Sequence, residues 1–172
     1  MKKIFSVVCA ILMIALIGIF TGCSAASTLP GTTWTYNSDV TTFVNEEVVG
    51  EDAFSSFKLE MTFKFEKDGL GTFSYKPAYT LTAEAQAAVE AGSVDEDFIP
   101  YIEETFTESA NITWEAESNE VKIIAPNEDN TTLTITGTLN KKVLALTFPA
   151  ENAVALGGDG TSPVTVEFAK AK

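Results

Sequence analysis

Between Phe57 and Glu66 the chain alternates without a break. Phe57, Leu59, Met61, Phe63 and Phe65 take the odd positions, and Lys58, Glu60, Thr62, Lys64 and Glu66 take the even ones. A two-residue period puts each set on its own face of a strand, so the segment predicts a β-strand with one face buried and one wet. Lys67-Asp68-Gly69-Leu70-Gly71 follows, with residues that tolerate positive φ in a turn. A second strand is expected from Thr72 to about Leu81, burying Phe73, Tyr75, Tyr79 and Leu81. Pro77 removes one ladder donor, which marks a bulge or an edge there.

The second half repeats the theme. Ile112, Trp114 and Ala116 alternate with Thr113, Glu115 and Glu117, and Ser118-Asn119 turns the chain. Val121 and Ile123 face in, Pro126 to Asn130 is a turn, and Leu133, Ile135 and Leu139 alternate with threonines. Asn140-Lys141 turns again, before Leu144, Leu146 and Phe148. A loop with Gly157, Gly158 and Gly160 precedes Val164, Val166 and Phe168. Opening strands near Trp34 to Asn37 and Val40 to Val49 bring the count to eight or nine. Short strands with turn signals at this spacing predict an all-β, mainly antiparallel fold, either an up-and-down barrel or a β-sandwich.

One stretch breaks the strand pattern. Ala83 to Ala91 is alanine-rich and helical by propensity, with Gly92 as its stop. Ser93-Val94-Asp95-Glu96 has the form of a capping box, and Phe98, Ile99, Ile102 and Phe106 share one helical face. Pro100 fits the first turn, so this helix is expected to begin near Asp97. The helical insertion spans about 83–108 and would cap a barrel end or cover an edge.

The N-terminal pattern is of another kind. Lys2 and Lys3 precede an uncharged, mostly apolar run from Ile4 to Phe20, closed by Thr21, Gly22 and Cys23. This is the order of a secretory signal. It resembles the bacterial lipoprotein signal, although Phe20 stands where that signal usually has Leu. The resemblance implies a signal peptide at 1–22, with Cys23 as the lipidation site, diacylated with palmitate-like chains. It implies a lipidated tether at 23–30 and a folded domain at 31–172. The protein would then sit in the cell envelope, lipid-anchored to the outer face of a bacterial membrane. The alternatives are ordinary secretion and an uncleaved membrane helix, for which 17 apolar-run residues are fewer than the usual span of about 20. Ser24 to Thr28 show no pattern to bury, as suits a flexible tether. Cys9 would leave with the signal, so no disulfide is expected in the domain.

Charge narrows the chemistry. The 172-residue chain carries 24 acids against 11 lysines and no histidine, a net charge of −13. Without residues 1–22, nine lysines face 24 acids in 150 residues, a net charge of −15. Such a chain is repelled by nucleic-acid phosphates and anionic lipid surfaces, so no nucleic-acid partner is expected. With neither histidine nor arginine there is no Ser-His-Asp triad, imidazole metal ligand or guanidinium clamp. No catalytic residue is assigned, no enzyme activity is expected, and no cofactor or metal site is expected. Glu46, Glu47, Glu51 and Asp52 cluster, as do Asp95, Glu96 and Asp97, but neither group has the spacing of a calcium loop, so both are read as solvated faces. Glu128-Asp129 is read the same way.

The folded part resembles the small lipocalin-like domains of bacterial lipoproteins. The segments that carry the likeness are Gly31-Thr32-Thr33-Trp34, Phe63 to Phe73, Ile112-Thr113-Trp114-Glu115, Leu133 to Leu139 and Val166-Glu167-Phe168. Two threonines separate Gly31 from Trp34 where that family usually has one residue. The likeness implies an up-and-down barrel, a tryptophan (Trp34) packing its closed end, and in some members a small apolar ligand. Phe73, Tyr75, Tyr79 and Trp114 are candidates to line a cavity, against the plainer reading of inward aromatic core. The ligand-binding residues themselves stay unknown.

Two functions follow. One is a lipid-anchored module binding a small apolar or amphipathic ligand. The other is a structural or protein-interaction lipoprotein with a filled core and no ligand, its protein partner unknown. The shared premise is directly testable. Full-length protein expressed in a bacterium with a fatty-acid probe should carry label, and Cys23→Ser should lose both label and membrane association. A Cys23→Ser variant that stays fully membrane-bound would favour the uncleaved helix.

Overall fold

The computed structural model describes residues 24–126, 131–153, 156, 158 and 160–172. Cys23, the apolar run before it and Glu128-Asp129 lie outside these residues. Eight strands form a closed antiparallel barrel in simple sequence order. They are β1 (Thr32–Asp39), β2 (Phe54–Phe65), β3 (Leu70–Leu81), β4 (Glu108–Glu117), β5 (Glu120–Pro126), β6 (Thr132–Asn140), β7 (Val143–Phe148) and β8 (Val164–Lys170). The barrel reading therefore holds over the sandwich.

Register follows the alternation. Trp34 pairs with Phe63, Phe63 with Phe73, Trp114 with Ile123, Ile123 with Ile135, and Leu144 with Phe168. Each pair lies on the inward face, and a one-residue slip would turn every one of them out. The turns use the expected residues: Asp68, Ser118 and Lys141 all have positive φ, as does Gly69. Gly137 occupies an inward position where a Cβ would collide with the Ala145 carbonyl and the Leu146 side chain, so Leu146 fills the space that Gly137 leaves.

The barrel has a closed end and an open one. At the closed end the Trp34 indole N–H donates to Thr32 Oγ1 at 2.8 Å, and that hydroxyl donates to the Leu29 carbonyl at 2.6 Å. The Trp114 indole N–H donates to the Leu70 carbonyl at 2.7 Å. At the open end two seams are unzipped. β1 meets β8 only at Trp34–Lys170 and Thr35–Ala169, and β4 pairs with β3 only from Leu70 to Tyr75. Pro77 thus sits where β3 has no β4 neighbour, the edge position its missing N–H requires.

Two expectations about the connectors around β1 are corrected. Val40 to Val49 is not a strand: it is helical, as α2 (Thr41–Phe43) running into a π-turn over Val44–Val49. Its β-branched content suggests a strand, but side chains fix the helix. Asp39 Oδ1 accepts from the Thr41 amide at 3.1 Å and from its hydroxyl at 2.7 Å, which holds the Asp39 carboxyl below its ordinary value of 3.8. Asn45 then bonds both backbone groups of Phe54, accepting at 3.0 Å and donating at 2.9 Å, and so takes the place of a strand partner. The second correction concerns Ser24 to Thr28. These residues form a single helical turn, α1 (Ala25–Thr28), with Ala25 and Leu29 fully buried. The Ala25 amide donates to the Ser118 carbonyl in the β4–β5 turn at 2.6 Å. The segment has two residues to bury, and the closed end of the barrel provides the place.

The insertion contains two helices, α3 (Ala83–Glu90) and α4 (Phe98–Thr105). Thr82 caps α3, accepting from the Ala85 amide, and Gly92 follows with φ near +66°. Asp97 precedes α4 and Pro100 lies in its first turn, as expected, but Ser93 is not its cap; Asp95 accepts from the Asp97 amide instead. Ile102 and Phe106 are buried against the barrel top, where Phe106 meets Phe57 at 5.0 Å between ring centres.

Two truncations test these packing claims by denaturant unfolding. Phe63 is fully buried between Phe73, Phe168 and Phe65, so Phe63→Ala should cost about 3–5 kcal/mol. Leu29→Ala should cost about 2–5 kcal/mol, whereas a loose tether at that position would make it neutral. Lys64→Ala, which loses only an exposed pair with Glu66, should stay within about 0.5 kcal/mol.

Candidate ligand site at the barrel mouth

On β4 and β5 the inward positions reach alanine toward the open end. Along β4 they run from Trp114 through Ile112 to Ala110 and Glu108, and along β5 from Val121 and Ile123 to Ala125. The closed half is filled by aromatic and branched side chains, and in the open half the small Ala110 and Ala125 leave space between larger neighbours. A cavity of about 300 Å³ remains there. Leu59 and Met61 of β2, Phe73 and Tyr75 of β3, Leu133 of β6 and Phe148 of β7 contribute to its wall, and Phe106 and Leu156 come from the connectors above. Its size is at the lower end for small-molecule sites, roughly 300–1,000 Å³, and its wall is of the mostly apolar kind such sites have.

A polar pair marks the lip. The Tyr75 hydroxyl donates to Glu108 Oε2 at 2.7 Å, and both residues line the cavity. Thr105 and Asn152 add further polar groups, and no lysine is among the lining residues. Glu108 has the inward parity of its strand but lies at the exposed rim. Sequence reading begins this strand at Ile112 and so misses Glu108. Its spacing of two from Ala110 and four from Ile112 is the signal that finds it.

The four aromatic candidates divide evenly. Phe73 and Tyr75 line the cavity. Trp114 belongs to the closed end through its bond to Leu70, and it packs edge-on against Phe65 at 5.5 Å. Tyr79 belongs to the joint between barrel and helices: it stacks on Phe57 at 5.7 Å and donates to Glu103 Oε1 of α4 at 2.8 Å. Trp34 is fully buried at the closed end, away from the cavity. Glu46, Glu47, Glu51 and Asp52, and likewise Asp95, Glu96 and Asp97, are exposed on the connectors at the open end. Among the described residues no three Cys, Asp or Glu side chains converge to hold a metal ion.

A second hollow lies outside the barrel, between α3, α4 and the segment 48–53. Val48, Val49, Val89, Val94, Phe98 and Tyr101 contribute its apolar lining, and Tyr101 is more than half exposed. Among the described residues no helix is long and apolar enough to cross a membrane. No protein-family model matches the chain, and no curated protein or solved structure matches it.

Burial is the main force on the Tyr79 phenol, with the Glu103 bond and charge acting in the same direction, and together they push it from 10.0 up to about 12. A raised value favours the neutral, bonded phenol in the folded state. The contribution of this bond is therefore complete below about pH 10 and is lost as pH rises toward 12. The ultraviolet difference titration between wild type and Tyr79→Phe should show one phenol ionising near pH 12, and Glu103→Gln should lower that value. A phenol ionising near 10 would contradict the packed Tyr79–Glu103 joint.

Proposed function

We propose that this chain is a lipid-anchored lipoprotein of the bacterial cell envelope whose barrel binds a small apolar or amphipathic molecule at its mouth. The observation that carries the binding half is the apolar-walled cavity of about 300 Å³. The anchoring half is supported by the signal-like order of residues 1–23. The closed eight-strand order is the architecture that the lipocalin-like likeness implies, and it supports that kinship. Binding without turnover suits a chain with no histidine or arginine, and no catalytic step is assigned to it.

The lip indicates which end of an amphipathic ligand stays outside. A carboxylate and a phenol meet there, and the connectors around the mouth are rich in acids. An apolar body with an amine or other cationic head is complementary to this surface, and a fatty-acid carboxylate is not. The second reading, a protein-interaction lipoprotein, is favoured by one observation, the apolar hollow under α3 and α4.

The soluble domain, residues 24–172, should bind a fluorescent long-chain alkylamine saturably while fully folded. It should bind the matching fluorescent fatty acid several-fold more weakly. Glu108→Gln should narrow the difference, and Met61→Trp, which fills the cavity, should abolish binding. No saturable binding of either probe, or binding that Met61→Trp leaves intact, would put the interaction reading ahead.

A further inference from the structure

We propose that the anchor holds the barrel with its closed end on the membrane and its mouth turned away. Acylation of Cys23, as read above, is the premise; the structure supplies the leash and the charge. Ala25 is fully buried and its amide is bonded to Ser118 in the β4–β5 turn. Leu29 is buried just beyond it, and its carbonyl accepts from Thr32 in the plug of the barrel. Cys23 is two residues before Ala25, so its acyl chains are tied within two Cα steps, about 8 Å, of a fixed point on the closed end. A leash this short leaves the domain no freedom to turn over.

Charge is segregated along the same axis. At the mouth, the described residues of connectors 40–53, 82–107 and 149–153 carry four, seven and one acids, twelve in all, and no lysine. At the closed end, connectors 66–69, 118–119 and 141–142 with residues 171–172 carry Lys67, Lys141, Lys142 and Lys172 against Glu66 and Asp68, and the adjoining strand ends add Lys170, Glu117 and Glu120, so this end is nearly balanced in charge. The whole-chain charge thus conceals a barrel that repels an anionic bilayer at one end only. β2 spans 12 residues, about 40 Å at ~3.3 Å per residue, or roughly 30 Å along a barrel axis at the usual tilt. Held closed end down, the acidic mouth stands several screening lengths of about 8 Å from the headgroups. The cavity then opens to the surrounding medium rather than to the bilayer.

The test uses the acylated protein in vesicles of phosphatidylethanolamine and phosphatidylglycerol that carry a headgroup quencher. Cys23 is blocked by its lipid and Cys9 is removed, so an introduced cysteine is the one free thiol. A fluorophore at Lys142→Cys should be strongly quenched, and one at Glu96→Cys should not. A long Gly-Ser insertion between Cys23 and Ser24 should abolish the difference. Equal quenching at both sites, or a full difference that survives the insertion, would overturn the proposal. Absence of acyl label in the same sample would instead overturn the anchor itself, so the two failures are told apart.

Discussion

The hydrogen-bonded plug at the closed end ties together features that are far apart in the sequence. Trp34 is the largest fully buried side chain in the barrel floor, and an indole N–H buried there without a partner would cost about 1–3 kcal/mol. Thr32 accepts that proton and passes the bond on to the Leu29 carbonyl. The partner of the core tryptophan is therefore held in place by a residue that precedes the first strand. Leu29 is in turn packed under the barrel, and Ala25 is bonded to the β4–β5 turn. The entry segment belongs to the fold because the floor of the barrel needs it.

Filling is uneven above that floor, and the cause is side-chain size. Trp114, Ile112 and Ile123 close the lower half, whereas Ala110 and Ala125 leave the upper half open. The sheet is also looser there, since β3 loses β4 above Tyr75 and β1 loses β8 above Thr35. The aromatic joint of Phe54, Phe57, Tyr79, Phe98 and Phe106 spans the gap and ties the helices to the rim. A rigid, filled base and an open, helix-flanked mouth let one small barrel combine stability with a vacant apolar space.

The strands were legible in the sequence wherever burial alternates cleanly, as from Phe57 to Phe65 and from Leu133 to Leu139, because period two has one structural meaning. The turns were legible because Asp68-Gly69, Ser118 and Lys141 sit where positive φ is needed. The helix over Val40 to Val49 was not. Its valines and threonines favour a strand locally, and the deciding bonds, from Asn45 to Phe54 and from Thr41 to Phe57, join residues nine and sixteen apart. Burial of Ala25 and Leu29 was also hidden, since two apolar residues four apart make no period. Two of the four aromatic candidates, Phe73 and Tyr75, do line the cavity. The rest of its wall depends on which inward positions are small and on where β4 begins, and alternation alone specifies neither.

Native mass spectrometry of the protein extracted from its own host membrane tests the combined account most directly. The account predicts a chain that begins at Cys23, carries a diacylglyceryl-type mass, and holds one small molecule that Met61→Trp excludes. An intact residue 1–22 segment without acyl mass, and no bound molecule at any gentle activation energy, would contradict it.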